Sequence, residues 1–419
     1  MAKVLVALLG TGQKADDEKN NNSYSTTDYQ IETQLYQGET LLANVLANHI
    51  NPDKIILIGT QQSMWDNAAS VFQVNDDETL EILEKKERGS LIEKDLQPLE
   101  KALNTKTNND GSRCVIVNGG DGNDELWSNF DNIADVLLKQ LNNGDTLYLE
   151  ITHAFRSLSL QTFVVTEFIK NYKNIDLGGV YYGKLSHGKP SNIINISMFF
   201  QLLDWAKAIS NLKNNGDATL LAGLVRNSNE DPTVKSNMST LSESLSIANL
   251  SAIFKVIGNL KGCIKLFESH KSKMMTMLAD DLLEFINQLD ANNQTDFQFN
   301  LSQWFANNNN YAMAYICLAE AAVGRVCREN QLYNLLDTEK SDRDFAKDNI
   351  IFGKEEGFNN RKTATKEQQD FKITFSLVGN IRNNIAHQLS TSDKRKNVTP
   401  KDCISNFKKY YKQLRNLPL

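Results

Sequence analysis

At 419 residues the chain is long enough for two or three domains, each with its own core. Its 41% hydrophobic and 23% charged residues exclude a disordered or fibrous protein. A net charge of −6 argues against a protein that coats nucleic acid over its whole surface, and leaves only local basic patches for that purpose.

Five cysteines, Cys114, Cys263, Cys317, Cys327 and Cys403, form neither a C-x-x-C pair nor a Cys/His cluster at metal-ligand spacing. A reduced cytoplasmic protein is therefore expected, without structural zinc, any other metal or a cofactor. No apolar run approaches the ~20 residues that span a bilayer, so no membrane partner is expected.

Val4–Leu9 is a continuous apolar run, too short for a signal-peptide core, and reads as a first strand buried on both faces. It ends in Gly10-Thr11-Gly12, a tight turn that could bring backbone N–H groups and the Thr11 hydroxyl to a phosphate. A plain strand-ending turn fits as well. Residues 14–29 are polar and Asn-rich, as in a loop, and Thr33–His49 has an apolar stripe that predicts a helix. Lys54–Ile58 is a second strand, followed by Gly59-Thr60-Gln61-Gln62-Ser63.

A charged helical region spans Leu80–Leu103, and Arg113–Val117 is a third strand. Its following loop, Asn118-Gly119-Gly120-Asp121-Gly122, reads better as a helix-capping turn than as a ligand contact. Asp145–Ile151 is a fourth strand running into Thr152-His153-Ala154-Phe155-Arg156-Ser157, with a helix through Lys170, and Leu177–Gly183 is a fifth. Strands alternating with helices predict a Rossmann-like α/β domain with a parallel sheet, whose ligand crevice lies beyond the carboxyl ends of the strands.

From residue 199 onward the periodicity is helical, with polar Asn-rich breaks at 213–216, 227–231, 292–295 and 307–310. Two domains follow: 1–198, α/β, and 199–419, all-helical, with the 199–212 helix as the joint. Residues 381–419 carry Arg382, Lys394, Arg395, Lys396, Lys401, Lys408, Lys409, Lys412 and Arg415 against only Asp393 and Asp402. This is either a patch for RNA or a solvated face.

Within the helical half, Gly379-Asn380-Ile381-Arg382-Asn383-Asn384-Ile385-Ala386-His387 places a guanidinium and an imidazole five residues apart. On a straight helix five steps of ~100° set the two side chains ~140° apart, so one chain does not easily aim both at a single phosphodiester, whereas a partner chain could complete the site. Histidine, with an ordinary pKa of about 6.5, suits proton transfer near neutrality. Arginine suits stabilisation of the pentacoordinate phosphate. Asn383 could orient either group or simply face solvent.

The Thr152–Ser157 cluster, Val4–Gly12, Ile55–Trp65 and the segment from Gly122 to Glu125-Leu126-Trp127 together resemble the CRISPR-associated Rossmann-fold (CARF) sensor family over roughly residues 1–200. One departure is Glu150, where the family strand usually has Asp. The resemblance implies a homodimer binding a cyclic oligoadenylate, cyclic tetra-adenylate by family likeness, across its two-fold axis. By position Gly10, Thr11, Gly12, Thr60, Gln61, Ser63, Thr152, His153, Phe155, Arg156 and Gly183 would line that site.

Arg382…His387 resembles the R-x4-6-H signature of HEPN ribonucleases, and Asp204–Ala208 and Asn310–Ala314 with Glu320 resemble helices of CARF–HEPN effectors. What this implies is a cyclic-oligoadenylate-activated, metal-independent endoribonuclease of type III CRISPR defence, acting on single-stranded RNA as a homodimer or a higher homo-oligomer. Arg382, His387 and Asn383 would be its catalytic residues. Two alternatives stay open: a ligand-sensing regulator without ribonuclease activity, and a sensor that degrades its own ligand. A dinucleotide-dependent oxidoreductase is disfavoured, because the first turn lacks the third glycine of G-x-G-x-x-G.

Overall fold

The computed structural model describes residues 1–12, 26–153, 155–184, 190–227, 231–247, 249–268, 273–332, 340–387 and 399–419. The chain divides into two compact units, Met1–Gln201 and Leu202–Leu419.

The first unit holds β1 (Lys3–Leu9), β2 (Thr27–Ile31), β3 (Gln34–Glu39), α1 (Leu42–Ile50), β4 (Lys54–Thr60), α2 (Trp65–Val71), α3 (Asp76–Glu87), α4 (Gln97–Thr107), β5 (Arg113–Val117), α5 (Asn123–Gln140), β6 (Thr146–Glu150), α6 (Arg156–Lys173), β7 (Asp176–Lys184) and β8 (Ser191–Asn195). The strands form one sheet in the order β3-β2-β8-β7-β6-β1-β4-β5. The five strands β7-β6-β1-β4-β5 run parallel, and β8 pairs antiparallel to β7.

The apolar runs make this sheet a middle layer. Leu5, Ala7 and Leu9 of β1, with Ile55 and Leu57 of β4, join one core with Leu42, Val45 and Leu46 of α1. The alternate residues Val4, Val6, Leu8, Ile56 and Ile58 join a second core with Ile133 and Leu137 of α5 and Val165 and Ile169 of α6. Such period-two partition of an unbroken apolar run marks a strand covered on both faces. At the β5 edge the carboxylates of Glu100 and Glu93 accept from the Cys114 and Ile116 N–H groups at 2.9 and 3.0 Å, closing an edge that would otherwise invite another strand.

The predicted helix over Thr33–His49 is corrected. Only Leu42–Ile50 is helical, and Gln34–Glu39 is a strand in a hairpin with β2. The buried stripe from Leu41 onward belongs to α1, whereas Leu35 is 46% exposed on the hairpin. The sheet is accordingly mixed, with eight strands among the described residues rather than five, because β2, β3 and β8 extend it beyond β7.

The second unit is helical: α7 (Met198–Asn215, which begins in the first unit), α8 (Thr219–Asn227), α9 (Pro232–Ser246), α10 (Leu250–Glu268), α11 (Lys273–Leu289), α12 (Gln294–Asn307), α13 (Tyr311–Glu329), α14 (Lys340–Phe345), α15 (Lys366–His387) and α16 (Pro400–Asn416). A π-helical segment, Ala346–Ile351, continues α14. The helix α13 is the hub: it packs on α12, α14, α15 and α16 and buries Tyr315, Leu318, Ala322 and Val326. Its buried Arg325 donates to the carbonyls of Leu414 and Leu417 at 2.9 and 2.6 Å, tying the hub to the carboxyl end of α16.

Candidate functional sites

The strand-end residues collect at the carboxyl ends of β1, β4, β6 and β7. Gly10 follows β1, and a Cβ built on it would lie 1.6 Å from the carbonyl oxygen of His153, so the loops after β1 and β6 meet backbone to backbone. Gly12 lies in the left-handed region at φ +75°. The Ser63 hydroxyl donates to the Leu9 carbonyl at 2.8 Å and accepts from the Thr60 N–H at 2.9 Å, while Gln61 donates to the Leu91 carbonyl at 3.0 Å. Between β7 and the loop after β6 the Gly183 N–H donates to the Thr152 hydroxyl at 2.8 Å.

These bonds sort the eleven residues. Gly10, Thr60, Ser63 and Gly183 are buried, and the two hydroxyls are satisfied internally, so in this structure these four shape the crevice wall rather than face it. Gly12, Gln61, Thr152 and His153 are half-buried. Thr11, Phe155 and Arg156 are exposed, with Arg156 opening the 18-residue α6, where unpaired backbone N–H groups favour an anion. Ala154 lies outside the described residues.

Beneath this loop Glu150 is fully buried. Its Oε1 accepts the Thr152 N–H at 2.6 Å, and its Oε2 has no hydrogen-bond partner among the described residues. Burial pushes its carboxyl up to about 7. Burial pulls the His153 imidazole down to about 4, since its Nε2 is shielded although the residue is partly exposed.

The loop after β5 is a turn held by the helix it precedes. Glu125 accepts the N–H groups of Gly120 and Asp121 at 2.9 and 3.2 Å, and Asn129 pairs with both backbone groups of Asn118 at 2.7 and 3.0 Å.

In the helical unit a cavity of about 630 Å³ opens between α13, α14, the π-helical segment and α15. Its polar lining includes Glu320, Arg343, Asp344, Lys347, Arg382 and Asn383. Arg382 is 43% exposed, and its Nη1 stands 3.7 Å from Glu320 Oε1. Arg343 grips the other carboxylate oxygen at 2.6 Å and the Glu320 carbonyl at 2.8 Å. Asn383 is exposed. His387 closes α15, the helix that carries Arg382; its side chain lies outside the described residues, as do Lys394, Arg395 and Lys396.

Lys401, Lys408, Lys409 and Lys412 are exposed on α16, whereas Arg415 lies over the ring of Phe299, its guanidinium carbon 5.7 Å from the centroid. Sequence reasoning missed Arg343 and Lys347. Their four-residue spacing sits in the charged run Lys340–Lys347, where nothing distinguishes a cavity-lining cation from a solvated one.

Residues 4–186 match the family model described as CRISPR system endoribonuclease Csx1, CARF domain, and residues 201–294 match that of CRISPR-associated protein MJ1674, second domain. The CRISPR-associated protein MJ1674 of Methanocaldococcus jannaschii is 28% identical over 439 residues, an alignment that covers 100% of this chain and 67% of the relative. Among solved structures, Enterococcus italicus Csm6 bound to cyclic hexa-2'-fluoro-hexa-dAMP aligns with 99% of this chain and 94% of its own, at 12% identity and a TM-score of 0.39. That likeness is too distant to bear on arrangement or ligand. With a Csx1-type CARF domain followed by an MJ1674-type second domain and a helical remainder, the chain is a CRISPR-associated protein of the CARF type.

Proposed function

We propose that the chain is a CARF–HEPN endoribonuclease that cuts single-stranded RNA when a cyclic oligoadenylate occupies the strand-end crevice of its CARF domain. The observation that carries this reading is Arg382, half-exposed in an open cavity and on the same helix as His387, five residues upstream. The reaction needs no nucleophile from the protein. The ribose 2′-hydroxyl oxygen attacks phosphorus as the bond to the 5′-oxygen breaks, leaving a 2′,3′-cyclic phosphate and a 5′-hydroxyl.

His387 moves the proton between these oxygens, Arg382 stabilises charge on the phosphorane, and Asn383 orients the phosphate. Because the helical phase separates Arg382 from His387, the working site combines the pairs of two protomers. The activator is taken to be cyclic tetra-adenylate, held by Thr11, Phe155, Arg156 and the backbone of Gly12.

A second copy of the chain is the partner expected on α6. Leu160, Val164, Phe168 and Tyr172 lie exposed at four-residue spacing along this helix, with Trp127 of α5 exposed near them. Phe168 stacks on Tyr172 and meets Phe130, which in turn meets Trp127, so the surface is a continuous aromatic strip. The strip runs from a helix whose first residue, Arg156, belongs to the ligand crevice, as a dimer sharing one symmetric ligand requires. Phe168→Glu is expected to convert a dimer to a monomer in light scattering and to abolish activation; an unchanged dimer overturns this interface.

The deciding experiment is RNA cleavage by wild type, Arg382→Ala and His387→Ala with a panel of cyclic oligoadenylates. Cleavage is expected only in wild type and only with activator, since a ligand shifts the balance only towards the arrangement it binds more tightly. Activity retained by His387→Ala overturns the catalytic assignment, and equal rates with and without activator overturn the switch. Labelled ligand incubated with His387→Ala separates any cleavage of the ligand itself.

A further inference from the structure

We propose that the cavity beside Arg382 is a subsite for a phosphodiester of the bound RNA next to the scissile one, with Lys347 as the residue that receives it. This rests on the ribonuclease reading and adds a substrate-binding residue that neither motif contains.

Three cations, Arg343, Lys347 and Arg382, line the cavity together with two carboxylates, Glu320 and Asp344. Glu320 already serves both arginines, tightly to Arg343 at 2.6 Å and loosely to Arg382 at 3.7 Å. Lys347 is exposed and has no ion-pair partner among the described residues, and the three cations of the lining exceed its two carboxylates, so the cavity carries a net positive charge.

The backbone presents Lys347 in an unusual way. The Phe352 N–H donates to the Lys347 carbonyl at 3.0 Å, a five-residue step that widens the turn carrying this lysine. Such π turns tend to occur at functional sites. The cavity, at about 630 Å³, is within the range of small-ligand sites and could take a nucleotide. One wall is Phe352, half-buried and packed against Phe375 at 5.8 Å between ring centroids, and cations beside aromatic rings are how proteins hold single strands.

The unequal grip on Glu320 also has a use. A phosphate entering the cavity draws Arg382 off the carboxylate at little cost, while Arg343 keeps Glu320 in place. Glu320 and Arg343 are thus positioning residues for Arg382 in the empty site, and Lys347 is a contact residue in the filled one.

The test uses the full chain in a His387→Ala background, so that RNA stays intact, with and without cyclic tetra-adenylate. Binding of a short fluorescent single-stranded RNA is followed by anisotropy across a salt series. Adding Lys347→Ala is expected to shrink the slope of log affinity against log salt by about 0.7, the value of one phosphate contact to a single strand. The loss should be equal for RNAs of different sequence, and Lys347→Arg should restore binding. In the cleaving enzyme Lys347→Ala is expected to raise KM with kcat little changed.

An unchanged slope and affinity overturn the subsite, as does a parent protein that binds no RNA. The two readings separate: a Lys347-dependent slope in a protein that never cuts RNA keeps the subsite and removes the ribonuclease, whereas cleavage indifferent to Lys347→Ala does the reverse.

Discussion

The two candidate sites are built from different materials. The strand-end crevice is backbone and short side chains, with loops after β1 and β6 in direct contact at Gly10 and His153, and hydroxyls of Thr60 and Ser63 bonded within the wall. The helical cavity is made of long charged side chains from α13, α14, the π-helical segment and α15, with a 3.7 Å ion pair that surface screening makes weak. A site of the first kind cannot change without disturbing the fold, and one of the second kind can be rearranged by whatever binds. That division suits the proposed roles, a rigid sensing site and an adjustable catalytic one.

The sharpest way to break the comparison is to change the sites one residue at a time and read folding and activity separately. His387→Ala and Arg382→Ala are expected to lower activated RNA cleavage by about 10²–10⁴-fold, the usual worth of a general acid–base residue for His387 and of a transition-state charge stabiliser for Arg382. Urea unfolding should move by no more than about 0.5 kcal/mol, as for surface substitutions. A large loss of stability in Arg382→Ala would make the cavity a structural device.

Gly10→Val should behave in the opposite manner. The new side chain has no room before the His153 carbonyl, and the fold should lose about 3 kcal/mol, the upper end for overpacking, together with binding of cyclic tetra-adenylate. Wild-type stability in this variant would mean that the two loops part easily and that the crevice is not rigid.

The same contrast explains what was legible in the chain. Runs such as Val4–Leu9 and Lys54–Ile58 announce strands covered on both faces because nearly every residue is buried. The hairpin gives little signal: β3 has no fully buried residue, and β2 has only Tyr29 and Ile31. Leu35 falls in helical phase with Leu42 and Leu46, which extends the apparent helix backwards into a strand.

The strand-end residues could be grouped because they occupy equivalent positions after successive strands. Burial then divided them into wall and face, which residue type alone does not reveal. Arg382 and His387 were legible because they stand only five positions apart in the chain. Glu320, Arg343 and Lys347 come together with Arg382 only through packing of α14, the π-helical segment and α15 on α13, so no spacing pattern could have joined them.

The smallest effect tests the rigidity of the crevice through its two buried titrating groups. Glu150 is raised to about 7 by burial, so the folded state holds its proton more tightly than the unfolded chain, where a glutamate titrates near 4.5. Its contribution is fully present below pH 4.5 and is lost as pH rises through about 7. His153 is lowered to about 4 against an unfolded 6.5, so its contribution is present above pH 6.5 and is lost as pH falls through about 4. Between these limits the two groups pull in opposite directions, and wild-type stability should be nearly flat there.

Glu150→Gln removes one side of the balance. Its stability should fall by up to about 1.4 kcal/mol per pH unit as pH drops from 6.5 towards 4, because the cost of charging the shielded imidazole is then no longer offset by Glu150. His153→Gln should show the mirror image, losing stability as pH rises from 4.5 to 7. Parallel pH profiles for wild type and both variants would mean that water reaches these groups, and that the crevice floor opens as readily as the helical cavity.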